Sequence, residues 1–332
     1  MQIPGAFALL LSAAATAQCA AAAAGNSNCS PHNKPPFPTG ALSKDQFTAK
    51  GRRYRVHLPA GYDPTKPAPV ILSYHGAHGT IEKQAALDRL TDPARNKDYV
   101  VVYLQALVPE GSDKTEWQVA PGAEHTDDVG FTADVVGALE RQLCVDPRRV
   151  YATGKSQGGG FVGQVLACDA DLSQKFAAFA PVAGAYYLKD SSRKQCEPTD
   201  KVAIPCATRR RDTPVMAFHG GADETIPYRG TYRAKTHSCL PDIRHWVRQW
   251  AVVRDEGLQG TQTNTTIPGS RHGVRSAWGT GKDEERVVLV YAGDEVGHDW
   301  PSTAENADNK GGARAAFNAS DDIIRWFGKW KL

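Results

Sequence analysis

A serine inside a Gly-x-Ser-x-Gly motif is the residue of this chain whose surroundings most clearly suggest chemistry. The motif covers residues 154–158, with Ser156 at its centre, and a short β-rich run, 149–153, comes directly before it. Two more glycines and an apolar, helix-capable segment follow. A sharp turn between a strand and a helix strains such a serine and lifts its hydroxyl above the strand end. The pattern therefore predicts that Ser156 is a nucleophile.

The serine needs two partners further along the chain, because its hydroxyl is a weak nucleophile at neutral pH without a general base and an acid that orients the base. After a serine in this type of turn, the acid and then the base follow in chain order, each just past a strand. Asp223 lies on a glycine-rich loop after the apolar run 215–218, so it is the candidate acid. Adjacent Glu224 is the alternative, and Asp223 could instead serve only to form an Asx turn.

His298 is the candidate general base. It follows the last apolar run, 287–291, and lies between Gly297 and a turn that ends at Pro301. Among the other histidines, His219 precedes the acid in a strand-end turn and is expected to be structural. The remaining competitors considered lie among polar loop residues without a preceding strand: His237, His245 and His272.

Two backbone N–H groups are needed to stabilise the negative charge that develops on a carbonyl oxygen under attack. Gln157, the residue after the serine, is expected to supply one of them. The second is expected from a turn at residues 75–79 that ends an early apolar run. Ala77 is the first choice there, with its neighbours Gly76 and His78 as alternatives.

The elements that must position these residues are predicted from the periodicity of the apolar residues. The predicted strands are residues 53–58, 69–74, 99–104, 149–153, 214–219 and 286–291, and the predicted helices are residues 132–144 and 321–330. Strands that are apolar on both faces and alternate with helices indicate an α/β fold with a mostly parallel sheet covered on both sides. Sites in such sheets lie at the carboxyl ends of the strands, where the candidate residues fall.

The composition is that of an ordinary globular enzyme. The chain has 332 residues, 41% of them hydrophobic and 23% charged, which is enough for a large core. Its net charge of +3 is too small to indicate nucleic-acid binding, and no basic cluster is interleaved with aromatic residues. No spacing of cysteines and histidines suggests a metal site, and we expect no cofactor.

Residues 1–17 have the features of a signal peptide. Residues 5–17 are almost entirely apolar or small, and residues 15–17 fit an Ala-x-Ala cleavage site, with a second candidate site at 20–24. The segment is too short to cross a bilayer. We therefore expect a secreted, extracellular protein with an extended lead-in at residues 18–44 and a single catalytic domain at residues 45–332.

Secretion gives the seven cysteines a structural meaning, because they should pair in an oxidising compartment. Cleavage after residue 24 would leave six cysteines, whereas cleavage after residue 17 would leave Cys19 unpaired. The pairing cannot be read from the sequence, although Cys196 and Cys206 flank a short loop and are candidates for a local bridge. The candidate N-glycosylation sites are Asn28, Asn264 and Asn318.

Five segments of the chain, in this order, resemble a known group of secreted esterases. The group comprises feruloyl esterases, acetylxylan esterases and polyhydroxyalkanoate depolymerases of the α/β-hydrolase fold, and the similarity is greatest to the fungal type-C feruloyl esterases. The Gly-His-x-Trp-Pro and Asp-Asp-Val-x-Phe pieces are far more specific than Gly-x-Ser-x-Gly. The matching segments are residues 74–76, 127–131, 146–159, 219–228 and 297–301.

The resemblance implies a serine esterase that releases ferulic and related hydroxycinnamic acids from plant cell-wall polysaccharides such as arabinoxylan or pectin. The family's nucleophile, acid and base fall on Ser156, Asp223 and His298. Lys155 stands where a smaller or apolar residue is expected, which makes the rim of the site more polar. No nucleic acid, membrane or obligate protein partner is expected.

The acyl group of the substrate makes its own demand on the site. Ferulate is flat and aromatic and requires an apolar slot with aromatic walls, for which Trp300 and then Trp117 are candidates; either could instead be a core residue. Alternative functions are an acetylxylan esterase or a polyhydroxyalkanoate depolymerase with the same triad. A serine peptidase and a non-catalytic secreted binding protein on the same scaffold are the more distant alternatives.

Overall fold

The computed structural model describes residues 28–332 except Asp190. The predicted signal peptide at residues 1–17, the second cleavage region at 20–24 and Cys19 lie outside the described residues. No helix in the described part of the chain is long and apolar enough to cross a membrane.

A ten-stranded sheet forms the centre of the fold, and a separate two-stranded sheet consists of β8 and β9. The strands in chain order are β1 (Gln46–Phe47), β2 (Arg53–His57), β3 (Ala68–Tyr74), β4 (Val100–Leu104), β5 (Val145–Lys155), β6 (Ala178–Val182), β7 (Val215–His219), β8 (Thr231–Arg233), β9 (Ser238–Leu240), β10 (Thr263–Thr266), β11 (Val274–Trp278) and β12 (Val287–Tyr291). The order across the large sheet is β1-β2-β4-β3-β5-β6-β7-β12-β11-β10.

The six central strands of this sheet, from β4 to β12, are parallel to their neighbours. The outer strands β1, β2, β11 and β10 are antiparallel. Because β5, β7 and β12 run in the same direction and lie within four adjacent strands, their carboxyl ends meet at one edge. This edge carries the turns that contain Ser156, Asp223 and His298.

Helices cover both faces of the sheet. Side chains alternate between the two faces along the buried strands, so each face presents apolar side chains that a helix can cover. Val70 and Leu72 of β3 pack in one core with residues of Asp128–Gln142, Phe161–Leu166 and Ile243–Arg248, while Ile71 packs in the other with residues of Ile81–Asp88 and Ala319–Phe327. The helices are α1 (Ile81–Asp88), α2 (Asp128–Gln142), α3 (Gln157–Gly160), α4 (Ile243–Arg248) and α5 (Ala319–Phe327), with π-helical turns continuing α3 over Phe161–Leu166 and α4 over Gln249–Arg254. The mostly parallel, doubly covered sheet predicted from the sequence is confirmed.

Three disulfides cross-link the described residues, and one expectation from the sequence is wrong. The bridges are Cys29–Cys144, Cys168–Cys206 and Cys196–Cys239. Cys196 and Cys206 therefore do not pair with each other. Cys239 lies on β9, which hydrogen-bonds with Leu188, and this pairing brings β9 next to the segment that carries Cys196.

Removal of the Cys29–Cys144 bridge is expected to cost the most stability of the three. It closes a loop with a sequence separation of 115 residues, against 38 for Cys168–Cys206. Since a longer loop restricts the unfolded chain more, the double alanine variant at Cys29 and Cys144 should lower the free energy of unfolding by about 2–5 kcal/mol. Urea denaturation measures this loss. A larger loss for the matched Cys168/Cys206 double variant would contradict the loop-length argument.

Candidate active site

Ser156 lies at the turn between β5 and α3 in a conformation that L-residues rarely adopt. Its φ is 55° and its ψ is −117°. The backbone N–H of Ser156 donates to the carbonyl of Val182 on β6, and the carbonyl of Ser156 accepts from the N–H groups of Gly160 and Ala185. Hydrogen bonds from neighbouring elements thus keep Ser156 in the strained conformation that the sequence predicts.

The two motif glycines allow the turn to pack directly on the end of β3. A Cβ atom at Gly154 would lie 2.8 Å from the carbonyl oxygen of Tyr74, and one at Gly158 would lie 2.5 Å from that of His75. Real Cβ atoms do not approach backbone so closely. The same packing brings Gly76 beside the serine, since a Cβ atom built at Gly76 would be 3.4 Å from the Cβ of Ser156.

Asp223 and His298 are in direct contact, although they are far apart in the chain. His298 Nδ1 lies 2.7 Å from Oδ2 of Asp223. The other oxygen, Oδ1, accepts the backbone N–H groups of Thr225 and Ile226 at 3.0 and 2.7 Å. The carboxylate is buried, whereas Glu224, the alternative acid, is exposed. The structure therefore places Asp223 rather than Glu224 against the imidazole.

A second histidine contacts the same carboxylate, and sequence reasoning missed this contact. Nε2 of His219 lies 2.8 Å from the carbonyl of Ile226 and 3.1 Å from Oδ2 of Asp223. A carbonyl can only accept, so Nε2 carries the proton and donates towards both oxygens. The signal in the sequence was the spacing of His219 and Asp223, four residues apart across a strand-end turn.

The electrostatics of the pair suit proton transfer at neutral pH. Burial alone would raise the pKa of Asp223, but the hydrogen bonds from His219 and His298 hold it well below its ordinary value. Burial lowers the pKa of His298, Asp223 opposes this effect, and the charge of Lys155 adds to it. At neutral pH, the result is an ionised Asp223 beside a neutral His298, which is the state that a general base requires.

The hydrogen bonds of the backbone near Ser156 show which candidate N–H groups are free to stabilise an anion. Gln157 is the first residue of α3, so its N–H has no acceptor within the helix. The N–H of His78 donates to the carbonyl of Thr115 and is already occupied. Of the three candidates for the second donor, this leaves Ala77 and Gly76.

A buried histidine fixes the turn that carries these two residues. Nε2 of His75 accepts the N–H of Ala106 at 3.1 Å, and Nδ1 lies 2.7 Å from the carbonyl of Gly76. Burial lowers the pKa of His75 to about 4, so the imidazole is neutral and keeps both bonds at neutral pH. The two hydrogen bonds of His75 thus fix the backbone of the turn next to Ser156.

Both tryptophans proposed for an aromatic slot are core residues in this structure. The indole of Trp117 is completely buried, stacks on Phe161, and donates from Nε1 to the carbonyl of His75. Trp300 is also buried and donates from Nε1 to the hydroxyl of Ser320. Neither indole offers an exposed face to a bound molecule.

Lys155 is mostly buried and joins the serine turn to the loop after His298. Its Nζ lies 2.8 Å from Oδ1 of Asp308. Oδ2 of Asp308 accepts the backbone N–H of Trp300, two residues past His298, at 2.8 Å. The residue that the sequence marked as unusual therefore makes an ion pair that fixes the position of the histidine loop.

The three glycosylation candidates differ in exposure. Asn264 lies on the exposed strand β10, while the side-chain oxygen of Asn318 accepts bonds from Ser302 and Thr303 at the start of α5. Nδ2 of Asn28 donates to the carbonyl of Glu140 at 2.6 Å. Asn264 is exposed, whereas Asn28 and Asn318 are partly buried, so Asn264 has the most accessible side chain of the three.

Comparison with known proteins finds relatives among esterases, although no family model matches the chain. Feruloyl esterase D of Neurospora crassa is 31% identical over 172 residues, 50% of this chain and 56% of that protein. Feruloyl esterase B of Piromyces equi is 28% identical over 179 residues, 54% of this chain and 30% of that protein. The chain thus spans less than two-thirds of the length of these relatives.

The fold has a counterpart among solved structures. The acetyl xylan esterase from Aspergillus awamori superposes with a TM-score of 0.58 at 14% sequence identity. The superposition covers 87% of this chain and 99% of that one. At this identity, the likeness concerns the fold. Together with the sheet order and the strained serine turn, it shows that the chain has the α/β-hydrolase fold, and in sequence the chain is similar to feruloyl esterases.

Proposed function

We propose that this protein is a secreted serine carboxylesterase with Ser156 as nucleophile, His298 as general base and Asp223 as the orienting acid. The observation that carries the proposal is the 2.7 Å contact between His298 Nδ1 and the buried Asp223, at the sheet edge where the strained turn presents Ser156. The three disulfides fit an extracellular location.

In the proposed reaction, the hydroxyl oxygen of Ser156 attacks the ester carbonyl carbon while Nε2 of His298 takes its proton. The N–H groups of Gln157 and Ala77 donate to the oxyanion. His298 then gives the proton to the leaving alkoxide as the carbon–oxygen bond breaks, which leaves an acyl-enzyme. Water, activated by His298, releases the acid and restores the serine.

The proposed substrates are feruloyl and related hydroxycinnamoyl esters of plant cell-wall polysaccharides, as the names of two relatives suggest. An acetyl ester is the second candidate. It is favoured by the burial of Trp117 and Trp300, because neither indole forms an open aromatic wall for a ferulate ring. A small acyl group requires no such wall.

Parallel hydrolysis assays separate these candidates. The substrates are methyl ferulate, methyl caffeate, acetylated xylan and a short hydroxybutyrate oligomer, with the Ser156→Ala protein as the blank. We expect activity on the hydroxycinnamates. Activity on acetylated xylan alone would support the proposed esterase but show that its substrate is an acetyl ester. No activity on any ester would contradict the proposed function.

Lys155 is expected to affect the pH dependence of the reaction. The rate falls at low pH as His298 becomes protonated, and Lys155 lowers the pKa of His298. Lys155→Met removes this effect and leaves Asp308 without its cation, so the acidic limb of the kcat/KM profile should move to higher pH. Lys282→Met, at an exposed position, is the matched control. An unchanged acidic limb in the Lys155 variant would contradict this coupling.

A further inference from the structure

A large cavity lies outside the candidate active site. Its volume is about 930 Å³, and its walls come from the loop that carries Asp223, from α4 and its π-helical extension, and from β11 and β12. Volumes of this size are typical of sites for small organic ligands. None of Ser156, Asp223 and His298 lines it, so the proposed reaction leaves the cavity without a role.

The walls combine aromatic rings with polar side chains. Tyr228 and Tyr291 meet edge to face with their ring centres 4.8 Å apart, and Trp278 lies on the strand face nearby. Gln259 and Gln262 add amide donors and acceptors. Sugar rings are bound by this combination, since their C–H faces pack on aromatic rings while their hydroxyls require hydrogen bonds.

The charged groups favour an anionic ligand. Arg229, Arg244 and Arg248 line the cavity, opposed by two acids, Asp200 and Asp242. Asp242 is already engaged, because its carboxylate accepts the N–H groups at the start of α4 and lies 3.4 Å from Arg244.

The other two guanidinium groups are available. Neither Arg229 nor Arg248 makes an ion pair with any residue that the structure describes. Planar guanidinium groups recognise carboxylates through paired N–H donors, and an ammonium group does so less specifically. Two such groups beside aromatic rings therefore suit a sugar that carries a carboxylate.

The cavity shares a wall with the candidate active site. In the loop between β7 and β8, Asp223 faces His298, whereas Gly221 and Tyr228 face the cavity. A Cβ atom at Gly221 would overlap the hydroxyl of Tyr291, so this wall is closely packed. A ligand in the cavity would thus lie behind the loop that holds the acid.

We propose that this cavity binds an acidic oligosaccharide, a chain of pyranose rings that includes uronic acid residues, with Arg229 and Arg248 holding a carboxylate. The proposal concerns binding and goes beyond the proposed ester hydrolysis. Such a site would hold an acidic polysaccharide on the protein while an ester elsewhere on the polymer is cleaved.

Isothermal titration of the full chain tests the proposal with two compounds of equal length, an unesterified tetramer of galacturonic acid and the neutral tetramer of glucose. The acidic tetramer should bind at least about tenfold more tightly, and its affinity should fall as salt is raised because the guanidinium–carboxylate contacts are partly screened. Neither compound contains an ester, so failure of the esterase assays would leave this result standing.

Charge-removing variants locate the binding. Arg229→Gln and Arg248→Gln should each weaken binding of the acidic tetramer about tenfold. Arg209→Gln is the matched control, since Arg209 is exposed and does not line the cavity. No binding of the acidic tetramer, equal binding of the neutral one, or an equal loss in the Arg209 variant would overturn the proposal.

Discussion

Substitution of Ser156 by alanine is expected to reduce kcat/KM for ester hydrolysis by about 10³-fold or more. In the proposed mechanism, the variant loses the oxygen that forms the acyl bond, while the proposed oxyanion donors, the N–H groups of Gln157 and Ala77, remain. Residual turnover would then come only from substrate binding and oxyanion stabilisation. Initial rates on methyl ferulate and on acetylated xylan, measured with the wild type and the variant side by side, give the size of the loss.

Covalent labelling distinguishes loss of the nucleophile from loss of the fold. An organophosphonate should add one phosphonyl group to the wild-type protein, on the peptide that contains Ser156, and none to Ser156→Ala. Ser302→Ala is a suitable control because Ser302 lies outside the proposed catalytic residues, and its hydroxyl contacts only Asn318 and the N–H of Ala304 among the described residues. A wild-type protein that hydrolyses esters without being labelled at Ser156 would show that another residue is the nucleophile.

The contact between Asp223 and His298 could be anticipated from the sequence because it depends on local signals. Each residue follows an apolar run that becomes a central parallel strand, β7 or β12, and these two strands are neighbours. The carboxyl ends of neighbouring parallel strands lie at one edge, so chain order and strand ends suffice to bring the two residues together. The serine turn was predictable for the same reason, since its glycines, strand and helix are contiguous.

Strand β6 was not predicted, because its sequence contains a proline, which is unusual in a central strand. It contains Pro181, which has no N–H for a ladder and is typical of sheet edges. In the structure, Pro181 lies opposite Gly154 in the middle of the sheet. Burial of Phe179 and Val182 between the helices outweighs the lost hydrogen bond.

Strand β10 was not predicted either. All four of its residues are exposed, so they show no alternation of buried and exposed side chains.

Contacts between distant segments could not be predicted from the sequence. The bridge from Cys196 to Cys239 depends on how β9 packs, whereas the proximity of Cys196 and Cys206 in the chain suggested a different pair. The ion pair of Lys155 with Asp308 likewise joins two loops whose relative position only the complete sheet defines. Sequence reasoning identified Lys155 as unusual but had no means of identifying its partner.

Substitution of Asp223 by asparagine is expected to lower kcat/KM by about 10³- to 10⁴-fold, although the side chain keeps its shape. One oxygen of Asp223 receives donors from His219 and His298, and the other receives the N–H groups of Thr225 and Ile226. An asparagine NH₂ group in either position therefore faces hydrogen-bond donors. The imidazole loses its charged acceptor, and a buried group is left unsatisfied in both orientations of the amide.

The unsatisfied buried amide also predicts that Asp223→Asn is less stable than the wild type. This loss of stability distinguishes it from a variant that only removes a charge. An unsatisfied buried hydrogen-bonding group costs about 1–3 kcal/mol, so urea denaturation should show the Asp223→Asn protein to be less stable by that amount. Glu224→Gln is the matched control, because Glu224 is the adjacent carboxylate and is exposed. It should retain both activity and stability. If Glu224→Gln lost activity while Asp223→Asn kept it, the orienting acid would be Glu224, and the contact between Asp223 and His298 would have only a structural role.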